Sequence, residues 1–210
     1  MGSSAYGGSA FGKATAQEVV KGKNNSPKGT PEQSGICKGL VSAWITAFLH
    51  GDEGARDVTK FKDYFIKVLR FHGSFVSDYS KPTGYQIENI YSRMTELGVN
   101  PGLKLHAEFS TPKLEIEQIP YHAAWGAYVN VWEHAIGLAC DDRGNYWIMD
   151  PNYGLYVYAD VKFFLQDANQ LIANRRTHKR AKMVKEAEKD KKKIMSPGLL
   201  LFRVWVYTLP

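Results

Sequence analysis

The sequence predicts an α+β fold in which N-terminal helices pack on a central antiparallel sheet. Between about residues 40 and 97, apolar residues recur at the spacing of amphipathic helices. From about residue 103 onward, alternating or β-branched runs are separated by short turn sequences, as in antiparallel hairpins. Helices followed by strands indicate this fold class, and 44% hydrophobic residues in a chain of 210 support a single packed domain.

Three helices are predicted in the first half of the chain. The first ends at Gly51, and its apolar residues at helical spacing are Leu40, Val41, Trp44, Ile45 and Phe48. The second and third cover about residues 58 to 72 and 84 to 97, and Gly98 closes the third. A fourth helix is predicted from about residue 161 to 174, and it continues into a basic segment.

Strands are predicted wherever polar and apolar residues alternate or β-branched and aromatic residues cluster. These stretches are 103–109, 114–119, 125–133, 134–140, 146–149, 155–158 and 199–209. The aromatic run between Trp125 and Trp132 is interpreted as core, because no RNA-binding signature accompanies it. Cys140 continues an apolar alternation with Ile136 and Leu138, and it is also predicted to lie in the core.

The ends of the chain differ from its centre in composition. Residues 1–32 are rich in Gly, Ser, Lys and Asn and are predicted to form a flexible leader, whereas residues 33–210 form the folded domain. The first residues lack the basic and apolar regions of a Sec signal peptide. No run of about 18 apolar residues occurs, so no membrane-spanning helix is expected.

Positive charge is concentrated between residues 174 and 193. That segment has ten basic and three acidic residues, whereas the rest of the chain has 17 basic and 18 acidic residues. This distribution argues against a protein that binds nucleic acid over its whole surface, and no specific nucleic-acid partner is expected. We predict a solvated basic helical extension over about 174–193. The alternative is that Arg175–Lys193 contacts an anionic membrane or an acidic partner.

The two cysteines, Cys37 and Cys140, are too few and too far apart for a disulfide framework, which fits a reducing compartment or a free reactive thiol. No Cys-x-x-Cys or His-x-x-x-His pair is present, which argues against a structural zinc site. We expect neither a metal nor a cofactor. Cys37 stands where a polar loop gives way to the first predicted helix. A helix N-terminus favours a thiolate, which is the nucleophilic form of cysteine.

The predicted hairpin between residues 134 and 150 aligns two further candidates. A three-residue loop ending in Gly144 favours a type I turn with a G1 bulge and pairs Asp141 with Asn145. In that register His134 and Asp150 lie on the same face as diagonal neighbours, roughly 7–8 Å apart at Cα. A two-residue loop would put them on opposite faces.

This arrangement predicts a nucleophile, a base and an orienting carboxylate. Asp150 would accept the Nδ1–H of His134, and His134 would take the thiol proton of Cys37 and later protonate the leaving group. The backbone N–H of Cys37 would stabilise the oxyanion, and the Gln33 side chain, four residues earlier, is the second predicted donor.

The same residues resemble the YopT-type (YopT/AvrPphB-like) cysteine peptidases, a family of bacterial effectors. The matching pieces are Gly35-Ile36-Cys37 with Leu40 and Trp44, His134-Ala135, and Asp150-Pro151-Asn152-Tyr153-Gly154. The resemblance implies a papain-like catalytic domain over 33–210 and a Cys37–His134–Asp150 triad. It also implies secretion by a bacterium into the cytosol of a host cell, where members cleave host proteins such as small GTPases or kinases.

Two other functions are compatible with these residues. A glutamine deamidase, transglutaminase or acyltransferase would use the same three residues on a side-chain amide or a lipid ester. A non-catalytic module would instead bind membrane or nucleic acid through the basic segment, and its activity would not depend on Cys37.

Overall fold

A six-stranded antiparallel sheet is the centre of the fold in the computed structural model of this protein. The structure describes residues 37–58, 102–120, 123–132, 134–151, 153–189 and 200–210, and the side chains from residue 41 onward. The predicted leader, Gln33, almost all of the helix predicted over 58–72 and the whole helix predicted over 84–97 lie outside these ranges.

The strands confirm the α+β class. They are β1 (Lys104–Thr111), β2 (Trp125–Val131), β3 (His134–Cys140), β4 (Tyr146–Asp150), β5 (Gly154–Tyr158) and β6 (Phe202–Thr208). Their order in the sheet is β1-β6-β2-β3-β4-β5, and every neighbouring pair is antiparallel. The C-terminal strand therefore lies between β1 and β2, while β2 to β5 follow one another in the order of the chain.

One predicted strand is wrong. Residues 114–119 contain a short 3₁₀ helix, Ile116–Gln118, instead of a strand. The side-chain amide of Asn169 accepts from the backbone N–H of Leu114 and donates to its carbonyl, both at 2.9 Å. A side chain thus satisfies the backbone groups that a neighbouring strand would otherwise satisfy.

Helix α1 (Cys37–Leu49) ends as the sequence predicts. Gly51 adopts a positive φ of 80°. Its N–H donates to the carbonyl of Phe48, and the N–H of Asp52 donates to the carbonyl of Ala47. These two bonds define a Schellman motif, in which glycine is favoured because it has no Cβ to clash in the left-handed conformation.

Helix α1 packs closely on β2 and β3 because each strand has a glycine below it. A Cβ on Gly137 would lie 2.5 Å from the Trp44 ring, and one on Gly126 would lie 2.7 Å from Ile45. Trp44 is fully buried, and its indole N–H donates to the carbonyl of Ala55 at 3.0 Å. The ring therefore has little room to move away from the sheet.

We expect Gly137→Ala to destabilise the domain by about 1–3 kcal/mol, because the added methyl group overpacks a rigid contact. Denaturant midpoints of the two proteins measure the loss. The Trp44→Phe variant, with a smaller ring, supplies the control. In the Trp44→Phe background, Gly137→Ala should lower the free energy of unfolding by less than it does in the wild type. Equal losses in the two backgrounds would contradict a steric conflict with Trp44.

The sheet separates two apolar clusters. On one face α1 covers Ala135, Ala139 and Met149. On the other face helix α2 (Val161–Lys189) covers Ile136, Leu138 and Cys140. Trp125, Tyr128 and Cys140 are buried, which confirms their prediction as core residues.

Helix α2 is anchored only over its first half. Its buried residues are Phe164, Ala168 and Ile172, which are spaced by four. Beyond Ile172 most side chains are exposed or half-buried, and the helix continues to Lys189. The described part of the basic segment is therefore helical, as predicted. Within the described ranges, neither helix has the length and apolar character required to span a bilayer.

Candidate active site

The turn between β3 and β4 has the predicted geometry. Gly144 has a positive φ of 81°, and the backbone N–H of Asp141 bonds to the carbonyl of Asn145 at 2.9 Å. The strand register, with Gly137 opposite Met149, continues from that pair without a shift. The three-residue loop with its G1 bulge is therefore confirmed, and so is the register on which the site depends.

Asp141 holds this turn together, a role that the sequence analysis missed. Its buried carboxylate accepts from the backbone N–H groups of Arg143 (2.9 Å) and Asn145 (2.8 Å), and from the Trp147 indole (3.1 Å). The Asn145 side chain donates a further bond of 3.0 Å. An Asp directly before a tight turn is the sequence signal for such local bonding.

His134 and Asp150 are in contact at the end of the sheet. His134 Nε2 lies 3.0 Å from Asp150 Oδ1, and the two residues are 7% and 0% exposed. The prediction that Nδ1 faces Asp150 is wrong. Nε2 is the ring nitrogen farther from the backbone, so it reaches across the diagonal between strands more readily. Asp150 thus contacts the ring through Nε2, and Nδ1 is the ring nitrogen that does not face this carboxylate.

The His134–Asp150 pair belongs to the α2 face of the sheet. Side chains alternate between faces along a strand, so His134 shares its face with Ile136 and Leu138. An ion pair confirms this placement for the carboxylate, because Arg175 Nη2 of α2 lies 3.7 Å from Asp150 Oδ2.

Helix α1 lies on the opposite face but begins at the same end. Val41, near the start of α1, lies against Gly137, whereas Leu49, its last residue, lies against Gly126. Gly126 pairs with Ala139, which is nearer the C-terminal end of β3 than Gly137 is. The first turn of α1 therefore lies toward the end of the sheet where β3 begins with His134. The helix begins at Cys37, so the N–H groups of its first turn have no partner within the helix.

Arg175 is a second residue that sequence reasoning assigned differently. The prediction of a solvated extension from residue 174 is wrong at this position, because Arg175 is paired with Asp150 and its side chain is 23% exposed. The available signal was spacing: Arg175 follows the buried Ile172 by three residues, which puts both on one side of α2.

The buried cysteine has a different environment. Burial, and secondarily the negative charge of Asp141, raise the pKa of the Cys140 thiol to about 11. Cys140 therefore stays protonated and unreactive near neutral pH. Among the described residues, no group of three or more His, Cys, Asp and Glu side chains is arranged to hold a metal ion.

The chain matches no protein-family model, and no curated protein is significantly similar to it. The roles expected for Cys37, His134 and Asp150 therefore have no support from these comparisons. A buried imidazole–carboxylate pair can orient a ring, stabilise its protonated form and transfer a proton. A nucleophile at the start of a nearby helix would complete a hydrolytic site.

Proposed function

We propose that this protein is a papain-like cysteine protease of the YopT type, with Cys37 as nucleophile, His134 as general base and acid, and Asp150 as orienting carboxylate. The observation that carries the proposal is the buried contact of 3.0 Å between His134 Nε2 and Asp150 Oδ1. By resemblance, the substrate is a host protein such as a small GTPase or a kinase, cleaved in the host cytosol after secretion by a bacterium.

Burial makes this pair unusual for a purely structural contact. A carboxylate with no solvent exposure costs free energy unless charged or hydrogen-bonding partners compensate for the lost water. Asp150 has such partners in His134 and Arg175, at a strand end rather than in the centre of the core. Buried ionisable groups that are paired at the end of a strand are candidates for a functional site.

The proposed reaction uses the nitrogen that does not face Asp150. His134 Nδ1 takes the proton from the Cys37 thiol, and the thiolate attacks the carbonyl carbon of the scissile peptide bond. The imidazolium then protonates the leaving amine, and the acyl group remains on sulfur as a thioester. Water, deprotonated by His134, hydrolyses the thioester and regenerates the thiol.

The position of His134 at the end of β3 determines where the Cys37 thiol would have to reach the imidazole ring. His134 is the first residue of that strand, and α1 begins on the other face of the sheet at the same end. The proposal therefore requires the Cys37 thiol to reach the His134 ring around the end of β3. The Cys37 N–H and the Gln33 side chain are the proposed oxyanion donors.

Single-site alkylation tests the nucleophile directly, because the chain has only two cysteines and Cys140 is protected. We expect iodoacetamide at pH 6 to modify Cys37 and leave Cys140 intact. The pH profile for Cys37 should have its inflection well below about 8.5, the value of a free thiol. Cys140 should react only as the pH approaches about 11, where its thiol ionises. Peptide mass spectrometry measures both sites.

The His134→Ala variant is the control for that profile. Without the imidazolium, the inflection for Cys37 should move toward about pH 8.5, while Cys140 should be unaffected. A wild-type inflection that is already at the free-thiol value, and that is insensitive to His134→Ala, would exclude the proposed pair.

The reaction type is tested by N-terminus profiling of host lysate treated with the protein or with its Cys37→Ala variant. A protease generates new N-termini that depend on Cys37. A deamidase instead adds about one mass unit, and a transferase adds a group, without new N-termini. If an activity survives Cys37→Ala but is lost when Lys182, Lys185 and Lys189 are changed to Glu, the protein is a binding module.

A further inference from the structure

We propose that Arg175 and Arg176 of helix α2 are positioning residues that hold the two turns beside the His134–Asp150 pair. This inference rests on the proposed function, because its consequence is the orientation of the His134 ring for catalysis. It assigns the beginning of the basic segment to the active site instead of to solvent or to a partner.

Arg175 holds the turn after β4. Its Nη2 atom lies 3.7 Å from Asp150 Oδ2, and its guanidinium lies over the Tyr153 ring at 5.8 Å from the centroid. The backbone N–H of Tyr153 in turn bonds to the carbonyl of Asp150 at 3.0 Å. Arg175 therefore contacts both ends of the turn whose first residue is the orienting carboxylate.

Arg176 holds the turn before β3. Its guanidinium lies over the Trp132 ring at 5.9 Å from the centroid, and its Nη2 donates to the carbonyl of Pro112. Trp132 is the only described non-glycine residue with a positive φ, 65°, and it stands two residues before His134. A guanidinium over an indole stabilises this tight turn by cation–π attraction.

The two arginines reach different turns because they are neighbours on one helix. Consecutive residues point about 100° apart around a helix axis, since one turn contains 3.6 residues. One packed helix can therefore contact the turn on either side of the site, and its anchoring residue Ile172 lies three and four positions before the two arginines.

The positive charge of Arg175 orients the Asp150 carboxylate. This charge attracts Oδ2, which leaves Oδ1 oriented toward His134 Nε2. The attraction is effective because Asp150 has no solvent exposure to screen it. With the carboxylate held in this orientation, the Nε2–H tautomer of His134 is favoured, and Nδ1 accepts the proton of the nucleophile.

The test compares Arg175→Gln, Arg175→Lys, Arg176→Met and Arg180→Met. Arg180 is an exposed residue further along α2 and serves as the matched control. ¹⁵N NMR of the histidine rings reports the His134 tautomer in the Cys37→Ala background, at a pH where the ring is neutral, and iodoacetamide reports the reactivity of Cys37 in the background with the thiol. We expect Arg175→Gln and Arg176→Met to reduce the Nε2–H population and to slow alkylation roughly 10- to 100-fold, the usual effect of a small misplacement. Arg175→Lys, which keeps the charge, and Arg180→Met should stay near wild type.

The two proposals fail in different ways. If Arg175→Gln and Arg176→Met leave the tautomer and alkylation as in Arg180→Met, the positioning role is wrong while the nucleophile assignment stands. If the tautomer shifts but His134→Ala leaves alkylation unchanged, the positioning role stands and the proposed function is wrong. If Arg175→Gln does not fold, the Arg175→Lys variant provides the test. A lower Nε2–H population of His134 in that variant, which keeps the positive charge, would contradict the role given to charge.

Discussion

His134→Gln is expected to lower the rate of Cys37-dependent cleavage by about 10²–10⁴-fold, the usual contribution of a general acid–base residue. The glutamine amide can still donate a hydrogen bond to Asp150, which is fully buried, so the carboxylate keeps a partner and the fold is retained. The amide cannot take the thiol proton. The rate is measured from the accumulation of the new N-termini that wild-type protein generates in host lysate.

Asp150→Asn is the matched comparison. An asparagine has about the size of the aspartate, but its NH₂ group can donate to Nε2, and the negative charge is lost. We expect a loss of up to about 10⁴-fold, because an amide that donates to Nε2 selects the wrong tautomer of the ring and no longer stabilises the imidazolium. If the His134→Gln variant cleaves at the wild-type rate while the Cys37→Ala variant is inactive, another residue is the base.

Asp141→Ala is expected to destabilise the domain by about 2–4 kcal/mol, because several charge-assisted hydrogen bonds are lost and buried donors remain. The donors include the Arg143 and Asn145 backbone N–H groups and the Trp147 indole. Chemical denaturation measures the effect. Since these bonds fix the bulged turn, we also expect the contact between His134 and Asp150 to weaken, which the ¹⁵N signal of the His134 ring would report.

Asp142→Ala is the control one residue away. Asp142 is exposed, and its Oδ1 atom accepts a hydrogen bond from Arg56 Nη1 at 3.1 Å. A surface ion pair of this kind contributes about 0–1 kcal/mol, so the variant should be close to wild type in stability. Equal losses from both substitutions would mean that the Asp141 network does not stabilise the turn.

The hairpin that aligns the candidate site was predictable because its causes are local. Gly144 in a three-residue loop selects one turn geometry, and that geometry fixes every pair between β3 and β4. The contact between His134 and Asp150 follows by counting outward from the turn. The end of α1 was predictable for the same reason, since Gly51 meets a local need for a positive φ.

The misassigned residues have causes that are distant in the chain. Residues 114–119 alternate as a strand does, but Asn169 of α2 satisfies the backbone of Leu114 in place of a neighbouring strand. The ring nitrogen that faces Asp150 depends on the distance between two strands, which a register alone does not give. Spacing along the chain carries neither piece of information.

The sequence by itself determined the fold class, the end of α1, the hairpin register and the pairing of His134 with Asp150. These depend on backbone preferences and on hydrogen bonds between residues close in the chain. Only the tertiary structure decided that Nε2 faces the carboxylate and that Arg175 lies beside it, 25 residues further along. Those outcomes depend on how α2 packs across the sheet, because an ion pair forms only where packing brings the two charges within a few ångströms.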